Sequence, residues 1–142
     1  AIRENLNIGS QGFETAAVIA MTEEEAFDIY RLLQNKGVDV SYVDRDSSSF
    51  RRGLTVTTFY LAKGLEFDNV FIPYLTEDKF PDPNMISKAA SIEETYADEI
   101  KLLYVAATRS KYGLYMTYCG NLSPLFPRDS DTYDFFYEED LP

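Results

Sequence analysis

The chain has 142 residues, 24 of them acidic and 13 basic, for a formal charge of −11 with no histidine or tryptophan. That length is one domain, large enough to bury about two thirds of the surface of its unfolded form, and its 45% hydrophobic and 26% charged residues are those of an ordinary globular protein. No apolar run reaches the roughly 18 residues of a membrane span, no leader-like stretch opens the chain, and the single Cys119 cannot make an internal disulfide, so a reducing, cytoplasmic setting is expected.

Residues 1–14 are polar and unpatterned and are expected to be a lead-in from something longer. Residues 15–21 (TAAVIAM) form a short apolar run of the kind buried on both faces of a parallel sheet. Thr22 and Glu25 make a capping box, Ala26, Ile29, Tyr30 and Leu33 follow at helical spacing, and Gly37 supplies a stop. Residues 38–43 predict a second strand and 44–52 a polar loop. Two further strands are predicted over 54–60 (LTVTTFY) and 69–75 (NVFIPYL), the latter ending or reaching an edge at Pro73. Residues 76–90 predict a surface excursion.

Ser91 and Glu94 form a second capping box, opening a helix to about Arg109 whose buried stripe is predicted to be Tyr96, Ile100, Leu103 and Ala107. Residues 113–119 (GLYMTYC) predict a last strand. Strands alternating with helices imply an α/β fold with a mostly parallel sheet, in which ligands sit at the carboxyl ends of the strands. The domain proper is expected over 15–127. Residues 128–142 form an acidic, aromatic tail, read as a solvated terminus or docked strap in preference to a partner-binding peptide.

Without histidine, a Ser-His-Asp triad, a Cys-His pair and the usual zinc chemistry are excluded. The negative balance speaks against a free-standing nucleic-acid binder, yet leaves room for a local basic patch. Two segments carry chemistry. In residues 61–67 (LAKGLEF), Lys63 and Gly64 place a cation and an unhindered N–H at a strand end, which suits phosphate oxygens, and Glu66 can accept bonds from a ribose hydroxyl. In residues 102–114 (LLYVAATRSKYGL), Arg109 ends a helix. It is either a capping cation or an arginine finger, an always-charged donor group aimed at a transferring phosphate.

Taken together, LTVTTFYLAKGLEFDNVFIP and, about 30 residues later, EIKLLYVAATRSKYGL closely resemble motifs V and VI of the UvrD/Rep-like superfamily 1 helicases. The tyrosine-leucine pair before Ala62 is most similar to the branch of RNA-polymerase-associated helicase-like ATPases. The resemblance implies a C-terminal RecA-like motor domain of an ATP-dependent DNA helicase, with the P-loop NTPase fold but no P-loop of its own. It assigns Lys63, Gly64 and Glu66 to the nucleotide, Glu66 touching the sugar, and Arg109 to the γ-phosphate. Thr58 and Tyr60 fall at the strand end facing the nucleic-acid track. Most relatives have a histidine where Tyr60 stands, although an aromatic can still stack on a base. Ser110 replaces a usual alanine, and Lys101 stands where arginine is frequent.

No glycine is followed by lysine, so the Walker A signature is absent. The apolar run before acids at 70–78 (VFIPYLTED) is a decoy for a Walker B strand. The resemblance therefore implies that ATP and Mg2+ are bound mainly by a missing N-terminal RecA-like domain, and that this fragment alone is inactive. Single-stranded DNA and, for the named branch, RNA polymerase are the implied partners. A non-catalytic RecA-like interaction module is the alternative from another class. A composite cleft requires Glu66 and Arg109 to converge on one exposed edge.

Overall fold

The computed structural model describes residues 15–45, 53–88, 90–126 and 134–137. The expected lead-in, most of the polar loop with Arg51 and Arg52, and most of the tail lie outside the described residues.

Five strands, β1 (Thr15–Ala20), β2 (Val40–Tyr42), β3 (Gly53–Thr58), β4 (Phe67–Ile72) and β5 (Ser110–Met116), form one sheet in the order β2-β3-β1-β4-β5, and every pairing is parallel. Helix α1 (Glu23–Asn35) joins β1 to β2, while α2 (Pro83–Lys88) and α3 (Ile92–Ala107) lie between β4 and β5. β1 is central because its short apolar residues serve both faces. Ala16, Val18 and Ala20 pack with Ala26 and Ile29 of α1, whereas Ala17 and Ile19 pack with Phe59, Ala62, Phe67 and Ala106 on the α3 side. The apolar run without alternation is the sequence expression of that double burial.

Both capping boxes form. The Thr22 hydroxyl accepts from the Glu25 N–H at 3.2 Å, and the Ser91 hydroxyl from the Glu94 N–H at 3.4 Å. Helix α1 ends as expected at Gly37, whose φ of +74° lets its own N–H reach Gln34 and that of Val38 reach Leu33. Because Val38 is spent on that cap, β2 starts at Val40 and not at 38.

Three expectations are corrected. β4 begins at Phe67, two residues before its predicted start, although it stops before Pro73 as expected, and β5 begins at Ser110, three residues before its predicted start. The segment after β4 is not a surface excursion throughout: Leu75 and Phe80 are buried in the core, a short helix α2 follows, and the Asp82 backbone lies close to the carboxyl group of Glu99. The buried face of α3 is Thr95, Glu99 and Ala106, with Leu102, Leu103 and Ala107 partly buried, while Ile100 is exposed. Polar residues enter that face because their polar contacts are local. The Thr95 hydroxyl donates to Ser91 O at 3.2 Å, and the Glu99 carboxyl lies beside the Asp82 backbone.

Truncating the anchor, Phe80→Ala, is expected to cost about 3–5 kcal/mol in denaturant unfolding. Burial pushes the Glu99 carboxyl above its ordinary value, with Asp82 and Asp98 adding repulsion, and its Oε2 has no partner. A folded-state value above the unfolded one favours the protonated form in the fold. The stability it brings is present at low pH and lost as pH rises through the raised value. Glu99→Gln should therefore stabilise the domain at neutral pH by about 1 kcal/mol and flatten that loss, read from unfolding midpoints between acid and neutral pH.

Candidate functional site

Two chain segments meet at the amino ends of β4 and β5. The connection from β3 to β4 takes residues 59–66, carrying the Lys63–Glu66 segment from the carboxyl end of β3 to the amino end of β4. It opens with two successive turns, the Ala62 N–H on Thr58 O at 2.9 Å and the Leu65 N–H on Ala62 O at 3.0 Å, and Gly64 takes a φ of +86° on the way into β4. Helix α3 runs back along the sheet and delivers Arg109 to the start of β5.

Arg109 binds the first segment twice. Its carbonyl accepts the Phe67 N–H at 2.8 Å, and its Nη1 donates to Leu65 O at 3.4 Å. Glu66 lies between these two partners, with an exposed side chain whose Oε2 is 4.0 Å from Lys111 Nζ. The guanidinium also closes the helix, Nε donating to Val105 O at 3.0 Å and Nη2 to the Thr108 hydroxyl at 3.3 Å. Three of the five guanidinium N–H groups are thus used, and two have no partner among the described residues. The capping role of Arg109 is present in the structure, and half-burial of the side chain leaves it in reach of a ligand at this edge.

The structure brings Gly64, Glu66, Arg109 and Lys111 to one exposed edge, with Lys63 on the same exposed loop. It sets the other candidates apart. Thr58 is 2% exposed and its hydroxyl accepts the Leu61 N–H, so it does not face outward as expected. Tyr60 is 63% exposed, at the carboxyl end of β3. Lys101 sits about two turns before Arg109 and pairs with Asp98 at 3.5 Å. The two motif segments lie at the amino ends of β4 and β5 and not at carboxyl strand ends, because the β3–β4 crossover and α3 both run back along the sheet.

Sequence reasoning missed Asp68. Its carboxylate accepts the Thr15 N–H at 2.8 Å and the Thr15 hydroxyl at 3.3 Å, while that hydroxyl accepts the Asp68 N–H at 3.0 Å. This closed set ties β4 to β1 immediately behind Glu66. Nothing in a lone aspartate at a strand start signals it. Among the described residues no three carboxylate, cysteine or histidine side chains gather as metal ligands, so no Mg2+ position is assigned to this chain. The donor set, two spare guanidinium N–H groups and two lysines, fits an anion.

Fold and edge define a parallel α/β domain with a cluster of cations at one edge and no phosphate-loop signature in its sequence. The chain belongs to the UvrD-like helicase C-terminal domain family, whose model matches residues 2–121. The ATP-dependent DNA helicase PcrA of Staphylococcus aureus (strain MRSA252) is 33% identical over 105 residues, covering 73% of this chain and 14% of that protein. PcrA of Bacillus subtilis is 36% identical over 81 residues, 56% of this chain and 10% of the relative. The chain thus spans only a small part of the curated relatives it matches. A solved C-terminal domain of a possible DNA helicase from Lactobacillus plantarum WCFS1 has the same fold, with a TM-score of 0.64, 24% identity, and coverage of 92% of this chain and 71% of that one. Among the described residues no helix is long and apolar enough to cross a membrane.

Gly64 has open space around a would-be Cβ, so a substitution there meets only backbone strain. Gly64→Ala is expected to cost about 1–2 kcal/mol in unfolding experiments.

Proposed function

We propose that this chain is the C-terminal motor domain of an ATP-dependent superfamily 1 DNA helicase and supplies half of a composite ATP site. The observation that carries the reading is the convergence of Glu66 and Arg109 on one exposed edge, held there by the bonds from Arg109 to Leu65 and Phe67. The N-terminal RecA-like domain of the parent holds ATP and Mg2+ on its phosphate loop. Mg2+, when bound, neutralises charge on the β- and γ-phosphates.

On closure, Glu66 accepts a hydrogen bond from a ribose hydroxyl, and Lys63 with the Gly64 N–H lies toward the phosphates. Arg109 turns its free N–H groups to the γ-phosphoryl oxygens, where charge builds as the bond to the leaving oxygen breaks. Its existing caps set the starting orientation. Closure around ATP and release after hydrolysis would move the parent along a single strand, past Tyr60.

One observation favours a second reading for the parent, ATP-driven remodelling of RNA polymerase without unwinding. Thr58 is buried, and the sheet end bearing Tyr60 is acidic, with Glu23, Glu24 and Glu25 in the first turn of α1 and Glu77, Asp78 and Asp82 after β4. Phosphate tracks need cations. Strand displacement by the parent supports the helicase; vigorous ATP hydrolysis without displacement supports the remodeller.

In the full-length parent, Arg109→Ala should lower kcat for ATP by about 10³- to 10⁵-fold. Nucleotide binding, followed by fluorescence titration, should remain measurable. Near-normal turnover would overturn the assignment. The isolated chain should not hydrolyse ATP, since it has no phosphate loop.

A further inference from the structure

The two edges of the sheet are built differently. β2 is blunted, three residues long and followed closely by Asp44 and Arg45. β5 is seven residues long, and beyond a register irregularity opposite Phe67–Asn69 it continues as Gly113-Leu114-Tyr115-Met116 without a charge or a proline. Edge strands of finished proteins are usually guarded by short length, charge, proline or a covering element.

The Thr117 N–H donates inward to Ile72 O at 3.0 Å. With a strand period of two, the amides of Gly113 and Tyr115 also point at β4, and those of Leu114 and Met116 point away from the sheet. Among the described residues no strand pairs with that outer row. Apolar side chains flank it on both faces. Tyr112 is 84% exposed, Tyr115 42% and Leu114 37%, and Ile100 and Tyr104 of α3 are exposed beside them. On the opposite face α1 lies over β1, β2 and β3. The stacked pair Phe71 and Tyr115, with ring centroids 4.9 Å apart, therefore lies at the flank beyond that helix.

We propose that β5 receives a sixth strand, supplied by the parent polypeptide outside these 142 residues and carrying apolar side chains at alternate positions. The inference takes from the proposed function only that the chain is part of a longer motor protein. Two facts favour the parent as source. The chain accounts for 10–14% of the PcrA relatives, and the L. plantarum domain of the same fold extends beyond the 71% that this chain covers. Backbone hydrogen bonds to Leu114 and Met116 would give affinity, and contacts with Tyr115 on one face and Leu114 and Tyr104 on the other would give register. Since β5 starts directly after Arg109, the added strand also steadies the residue on which the site depends.

Amide hydrogen exchange in the full-length parent tests this without reference to turnover, so its outcome is independent of the role of Arg109. The Leu114 and Met116 amides should exchange within about tenfold of Gly113 and Tyr115; exchange roughly 100-fold faster would mean an open edge and overturn the proposal. Leu114→Lys, which guards the edge with a charge, should release protection at Leu114 and Met116 and leave it at Gly113 and Tyr115. Equal protection in that variant would also count against strand addition. Protection that rises with protein concentration, together with a dimer in sedimentation, would assign the edge to a second copy and overturn the choice of partner.

Discussion

The paired bonds between Arg109 and the Leu65–Phe67 segment hold the working edge together. One is a backbone bond in which Arg109 only lends its carbonyl, and the other is made by its guanidinium. Their functions separate accordingly. The backbone bond joins the starts of β4 and β5 whatever side chain stands at 109, whereas the side-chain bonds fix where the cation rests and what it caps. A residue that caps a helix terminus and, on the proposed reading, also reaches a ligand needs more donors than either task takes, and guanidinium alone among side chains has five. A lysine at this place could cap or reach, with less geometric memory between the two.

Much of this fold was legible before its coordinates. The apolar run of β1, the two capping boxes and the stop at Gly37 each rest on a local physical preference that the tertiary structure did not override. The face of α3 was not legible, because counting apolar residues places Ile100 inward and Glu99 outward. The structure reverses them by setting Glu99 beside the backbone of Asp82 and giving Thr95 a backbone acceptor four residues earlier. Such contacts involve a distant loop or a neighbouring turn, and hydrophobic spacing carries no trace of them.

The site divides the same way. Lys63, Gly64, Glu66 and Arg109 could be singled out as chemistry-bearing residues, and their convergence follows from two chain reversals that the strand order dictates. Thr58, which the resemblance alone assigned to the strand end facing the nucleic-acid track, is buried here because the chain turns immediately and its hydroxyl accepts the Leu61 N–H. The charge of −11 likewise conceals an uneven distribution. The amino-end edge gathers Lys63, Arg109 and Lys111 against Glu66 and Asp68, and most acids of the neighbouring loops lie at the opposite end. A whole-chain charge averages over the separation on which an anion site depends.

The crossover from β3 to β4 is short for the distance it covers. It must pass over β1 and return along a six-residue strand, about 22 Å in all from strand rise and spacing. It does so with two successive turns, the Ala62 N–H on Thr58 O and the Leu65 N–H on Ala62 O, before the chain runs into Phe67. Parallel strands are ordinarily joined by a dozen residues or more, usually with a helix, and this joint manages with eight. Fully extended, the same residues would reach about 30 Å, so a deletion could be spanned only by unwinding the turns that hold Phe59 and Ala62 in the core. The length of this segment is therefore tied to core packing. Shortening it would cost buried contacts before it cost reach.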